Sequence, residues 1–344
     1  MKKYPFLSVI AVAALMMSLS SCENGKQDFP DFEGGVSVYF ATQYPVRTLV
    51  IGEDEYDTSL DNAHKFKIVA TMGGAYSGRD IAAQIAVDPS ITNNLYFVNG
   101  SPVQAMPTNY YTLADNTIRY NGSLTGSVEV QLTDAFFADP DAVNNTYVIP
   151  LVMTSQTGAD SILVGRTLVV GETPQRTNSI RWDIQPKDFV LYLVKYICKY
   201  DANYLHRGYA NITAAGAQSK VVYTAATLEK TPIVSNISTR SLNSILYPVT
   251  YNINHQDVTC NLLVSFDAQG NATVSSATEG VTVSGSGSYQ DKAAKKAWGD
   301  QDRDALYLDY NIDFGTSQVV AKDTLIWQSR GVKAEEFAPT YKQN

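Results

Sequence analysis

Val128-Glu129-Val130-Gln131-Leu132 alternates apolar and polar side chains residue by residue, the period of a strand with one buried and one wet face. Working outward, Val36 to Ala41, Phe66 to Thr71 and Ile81 to Val87 carry the same strand-like character. Asn121-Gly122, which tolerates positive φ, follows Ile118-Arg119-Tyr120 and suits a tight hairpin. Tyr147 to Met153 reads as a strand whose Pro150, lacking an N–H, belongs at an edge or bulge. Short strands bounded by breakers, with almost no helical period, predict an antiparallel β-sandwich over residues 36–172.

The polar, proline-punctuated stretch 173–187 reads as a linker, and Phe189 to Ile197 as the strand that opens a second domain, 188–344. Eight or nine strands follow, among them Tyr209 to Thr213, Tyr247 to Ile253, Leu262 to Phe266, Ala305 to Phe314 and Val319 to Trp327. With no helical crossover between them, a closed, lipocalin-like up-and-down β-barrel is favoured over an open sheet with unprotected edges; a second sandwich is the alternative. The fold class is therefore all-β.

The N-terminus has a different character. Lys2 and Lys3, the apolar run Phe6 to Leu19 and then Leu19-Ser20-Ser21-Cys22 read as a lipoprotein export signal spanning residues 1–21. The mature chain then begins at a lipidated Cys22, tethered to a membrane through the polar, breaker-rich residues 22–35. Losing Lys2 and Lys3 moves the formal net charge from -8 to -10. That balance, with no basic cluster, argues against nucleic acid, and three histidines leave little material for a metal site. Tyrosine, at 22 residues, suits both strands and surfaces that grip uncharged polar ligands. Cys198 and Cys260 could pair after export or stand as buried free thiols.

Catalytic spacings are missing: there is no His-Glu-x-x-His, no Gly-x-Ser-x-Gly and no phosphate-cradling glycine loop. The densest polar cluster is Trp298-Gly299-Asp300-Gln301-Asp302-Arg303-Asp304. Its alternating acids resemble a calcium loop, but Ala305 stands where the turn glycine belongs and Asn311 where the bidentate glutamate would close the cage. They also resemble the acidic strand of chitinase-type glycosidases, with Leu306 in place of the catalytic glutamate. No catalytic residue, metal or cofactor is expected. A structural reading has Arg303 paired with a neighbouring Asp to fix the turn, with Trp298 covering the barrel end. A functional reading has Trp298 stacking on a sugar ring, Asp300 or Arg303 binding its hydroxyls, and Tyr307 completing the site. Trp327, alternating with Leu325, belongs to the core, and Trp182 to the interface between domains. Of Tyr110-Tyr111 and Phe136-Phe137, a strand would expose one member each.

The lipobox at Cys22, Tyr44-Pro45-Val46-Arg47, His64 to Ile68, Val128 to Asp134 and Tyr147 to Leu151 resemble a family of two-domain lipoproteins encoded beside Sus-type outer-membrane glycan importers of gut bacteria. The N-terminal module of that family carries a domain-of-unknown-function label and also occurs ahead of family-18-type endoglycosidase domains. Trp298-Gly299, Arg303, Leu306-Tyr307-Leu308, Lys322 to Leu325 and Arg330-Gly331-Val332 resemble its C-terminal domain. The resemblance implies a lipid-anchored protein on the outer face of the outer membrane. It would bind glycan beside a SusC/SusD-like importer; on the missing catalytic spacings, no enzyme is expected. An adhesin or assembly subunit with a protein partner is the first alternative, a glycoside hydrolase or lyase the second.

Overall fold

A computed structural model describes residues 33–75, 78–224 and 234–343; Cys22 and the residues read as an export signal lie outside them, as does most of the stretch read as a tether. The chain is all-β, in two units. The first contains β1 (Ser37–Tyr39), β2 (Pro45–Val50), β3 (Lys65–Gly73), β4 (Ala82–Val87), β5 (Leu95–Tyr96), β6 (Gln104–Ala105), β7 (Tyr111–Leu113), β8 (Thr117–Arg119), β9 (Thr125–Leu132), β10 (Tyr147–Thr157), β11 (Ser161–Ile162), β12 (Arg166–Thr167), β13 (Trp182–Ile184) and β14 (Phe189–Ile197). Two short helices, α1 (Ser59–Asn62) and α2 (Asp134–Ala138), interrupt them.

The main sheet runs β11-β1-β3-β9-β8-β4-β10-β14-β2 and ends on a strand from the C-terminal tail. It is mixed: β1 with β11, β10 with β6, and β14 with β2 are parallel pairs. Alternation decides its faces, as in β9, where Val128, Val130 and Leu132 are buried. Glu129 turns outward to Lys65 at 2.8 Å. The sheet folds back on itself, so Phe66 of β3 stacks on Tyr192 of β14 at 5.4 Å across one apolar core. At the hairpin between β8 and β9, Asn121 and Gly122 both take positive φ, +49° and +74°. Pro150 lies inside β10, but the strand's neighbour on its N–H side changes from β4 to β6 there, so the missing donor faces a gap in the ladder.

β14 corrects the expected boundary. Instead of opening the second unit it is the partner of β10 and β2. Its apolar run explains this: Val190, Val194 and Tyr196 face the main core, while Phe189, Leu191 and Leu193 face a second cluster with Ile91, Phe97 and Phe337. A strand buried on both faces belongs between two apolar layers, not at the start of a domain. Residues 173–187 likewise form no linker; they belong to a ribbon in which β12 pairs with β13.

The second unit is a barrel of β15 (Ala202–Ala214), β16 (Ala217–Tyr223), β17 (Val234–Ser241), β18 (Ser244–Ile253), β19 (Gln256–Phe266), β20 (Asn271–Ser276), β21 (Thr282–Trp298), β22 (Gln301–Asp313) and β23 (Ser317–Ser329). Pairing of β15 with β23 closes eight antiparallel strands, while β16 is a hairpin partner of β15. Side chains fill the interior, where Tyr247 and Tyr310 donate to Asp323 at 3.0 and 2.7 Å and His206 lies 2.8 Å from it. The chain then returns to the first unit: β24 (Glu335–Glu336) pairs with β2 and β25 (Thr340–Tyr341) with β5.

Candidate functional site

The polar cluster at 298–304 lies on the arm where β21 and β22 leave the barrel. Gln290 pairs with Ala305, Ala294 with Arg303 and Trp298 with Gln301, so β21 uses four residues for every two of β22. The surplus is taken up at Lys292 and Lys296, whose φ values are +50° and +45°. Asp304 and Asp302 hold these bulges by accepting the Lys292 and Lys296 N–H groups at 2.8 and 3.1 Å. Tyr289 Oη also donates to Asp304, and Lys295 Nζ to Asp302. The alternating acids are thus bulge caps. Among the described residues no group of three or more His, Cys, Asp or Glu could hold a metal.

The bulges curl the arm over the outer barrel wall, packing Ala294, Ala297 and Trp298 on Leu205 and Ile326. Trp298 Nε1 donates to the Trp327 carbonyl at 3.2 Å. The Arg303 guanidinium sits 4.0 Å from the Trp298 ring centroid and 5.6 Å from that of Trp327. Arg303 therefore stacks on the indole that the sequence offered to a sugar, while Asp302 and Asp304, not Arg303, fix the turn. The Arg303 Nε is buried without a hydrogen-bond acceptor.

The first unit supplies the facing wall. The Arg330 side chain, only 7 % exposed, donates to the carbonyls of Cys198 and Asp201 at 2.9 and 2.7 Å and to those of Ile51 and Glu53 at 3.3 Å. Gly52, at φ +99°, makes room for it: a Cβ there would stand 2.8 Å from Arg330 Nη2. Asn62 and Thr58 bond the same glycine from α1 and its entry. Glu53, Asp54 and Glu55 are so held opposite Lys292, Arg303 and Trp327 across a cleft of about 450 Å³, with Asp302 and Asp304 on its barrel side. Lys292 Nζ reaches Glu53 at 3.7 Å. The Lys295 ammonium, helped by the Lys296 N–H, holds the Asp302 carboxyl below the usual range, so it accepts hydrogen bonds and is no proton donor. Burial raises two carboxyls, Asp61 and Asp201; both are occupied, by Arg47 with the Val50 N–H and by Thr239, and neither lines this cleft.

Of the residues singled out in the sequence, Arg303 lines the cleft and Trp298 backs it. Asp300 is at the exposed tip of the arm, 3.3 Å from Lys296. Tyr307 is on the outward side of β22 beyond Ala305, opposite Ser288 and Thr324, and does not line the cleft. Trp327 packs against the barrel core as its alternation with Leu325 implies, yet also borders the cleft. Trp182 is a correction: it belongs to the β12–β13 ribbon, where Nε1 donates to Gln175, and does not seal the units together. Phe136 and Phe137 are both buried because they lie on α2, where neighbours need not point to opposite faces. The sequence reading missed the loop 53–55 and Lys292, and named Arg330 only within the family resemblance; their roles depend on contacts more than a hundred residues apart.

A domain of unknown function, DUF5627, matches residues 199–331, and a family model of an N-terminal domain matches residues 31–160. A solved Bacteroides ovatus protein, described as structural genomics of unknown function, is 39 % identical with a TM-score of 0.85, covering 91 % of this chain and 100 % of its own. The chain belongs to the family of that protein. The DUF5627 limits fall just after β14 and at Gly331, where the barrel unit begins and ends. Two further structures have TM-scores of 0.38 and 0.39 at 12 % identity. One is a Bacteroides ovatus multidomain protein including DUF1735, covering 86 % of this chain and 96 % of its own. The other is an auxiliary nutrient binding protein from Bacteroides thetaiotaomicron, covering 82 % and 90 %. No curated protein matches the chain.

Proposed function

We propose that this protein is a lipid-anchored receptor on the outer face of the outer membrane. It holds an oligosaccharide in the cleft between its two units and yields it unchanged to a Sus-type importer. The observation that carries the reading is the layered platform Trp298–Arg303–Trp327 facing a carboxylate-bearing wall that Arg330 locks in place. Indole and guanidinium planes offer flat surfaces to the C–H face of a sugar ring, and carboxylates accept its hydroxyls. A cleft of about 450 Å³ is of ligand size, and two rigid walls lower the ordering cost of binding. Lipid anchorage and the importer rest on the lipobox and on the family resemblance. Affinity on the order of micromolar to millimolar suits a ligand that must be released.

The test is calorimetry and tryptophan fluorescence with a panel of plant, mucin and fungal glycans. We expect binding without shortening of the polymer, weakened about tenfold or more by Arg303→Ala or Trp327→Ala and changed less than about twofold by Asp300→Ala or Tyr307→Phe. Silence across the panel, or binding indifferent to both cleft variants, would sink the reading; shortened polymer would replace the receptor with an enzyme.

A further inference from the structure

Large apolar side chains exposed on the described surface are mostly scattered, but Val164, Leu168, Val169, Val170, Ile180 and Ile184 cluster within one short segment. They belong to the ribbon in which Arg166 of β12 pairs with Ile184 of β13 and Thr167 with Trp182. Its tip carries three consecutive apolar residues, and Val170 is 98 % exposed. A contiguous group of this kind marks an interaction surface, unlike a lone exposed leucine.

What the ribbon meets follows from its place and its chemistry. Its base, Leu163 and Lys187, is bonded to β1, Leu163 N to the Val38 carbonyl and Phe40 N to the Lys187 carbonyl. Gly34 and Gly35, just after the first described residue, Glu33, line the same groove as Leu163 and Lys187. The ribbon therefore rises beside the point where the tether from Cys22 enters the fold, and the eleven steps from Cys22 to Glu33 span at most about 40 Å. The tip satisfies part of its own backbone: Leu168 N donates to Arg181 O at 3.1 Å and Glu172 N to Val169 O at 3.3 Å. Its charges are paired among themselves, Arg166 with Asp183 and Arg181 with Glu172, so none requires a complementary protein surface. The apolar residues project outward and line none of the clefts described above.

We propose that this ribbon is a lipid-contact element. Leu168, Val169 and Val170, with Ile180 and Ile184, enter the interfacial layer of the membrane that carries the anchor. The inference rests on lipidation at Cys22. A second apolar contact would turn a single point of attachment into a fixed orientation, because single shallow contacts bind reversibly and two act together.

The test uses the mature chain, residues 22–344, with Cys22→Ser so that no lipid is attached. Flotation is measured on vesicles of phosphatidylethanolamine and phosphatidylglycerol, which carry no glycan. The expected result is flotation that drops about tenfold in the Leu168→Asp/Val170→Asp double variant. A polarity-sensitive dye on Val170→Cys should also shift to shorter wavelength when vesicles are added. These side chains are exposed, so an unchanged melting curve keeps loss of folding apart from loss of contact. No flotation, equal flotation of the double variant, or an unshifted dye overturns the proposal and leaves a protein as the ribbon's partner. Mass analysis of residue 22 in the cell-derived protein tests lipidation separately.

Discussion

At residue scale, two of the three cysteines show how burial decides chemistry that sequence leaves open. Cys198 and Cys260 are both free and buried in separate parts of the barrel unit, which removes the disulfide. Burial pushes the Cys198 thiol up to about 11 and raises that of Cys260 as well. Since the thiolate is the reactive form, neither should be modified by a thiol reagent at pH 8 in the folded chain, and both should react once it is denatured. Rapid modification of either in the native protein would contradict the packing described. Arg303 makes a related point. Sequence placed it beside acids and suggested an ion pair, but its guanidinium found two indoles instead, one of them 24 residues further along the chain. Nothing in the local order of residues announces a partner supplied by another strand.

At the scale of elements, the arm of β21 and β22 explains acids that sequence offered as ligands or catalysts. Two left-handed lysines create bulges, and Asp302 and Asp304 hold them. The carboxyl of Asp302 is depressed by the Lys295 side chain and the Lys296 N–H. A depressed carboxylate contributes its order above its unfolded pKa of about 3.9 and loses it as pH falls through the lowered folded value. Amide exchange at Ala294 and Ala297 should therefore accelerate below about pH 4 while the barrel amides stay protected. Asp302→Asn should loosen the arm already at neutral pH and flatten the acid response; an acid step unchanged in that variant would remove Asp302 from the account. The same scale shows which elements were legible. Strands with strict alternation, such as β9, β18 and β22, could be read from the chain because one face is buried and the other wet. β17 was missed because Ser235-Asn236-Ile237-Ser238-Thr239 has almost no apolar signal; it is a strand because β15 and β18 pair with it.

At the scale of the whole molecule, the buried Arg330 side chain ties the two units together. Arg330 comes from the end of the barrel, yet its guanidinium binds carbonyls of β14's exit and of the loop after β2. Arg330→Ala should leave these buried acceptors unpaired and cost roughly 3 kcal/mol. Arg330→Lys should restore little, since an ammonium cannot span the same fork of acceptors. Urea unfolding followed by circular dichroism checks this: the variant should shift to a lower midpoint and separate into two steps, and an unaltered transition would rule out the clamp. By itself the sequence determined that the chain is all-β, that its second half favours a closed barrel, and that the region around Trp298 and Arg303 is chemically unusual. Those features are written in period, turn residues and local composition. The antiparallel sandwich expected before the barrel is a mixed sheet with parallel pairs. Only the tertiary structure decided that β14 belongs to the first unit, that the tail returns to it, and that Glu53 to Glu55 face Arg303 across a cleft. These depend on which apolar face finds which partner far along the chain, and no local pattern encodes that choice.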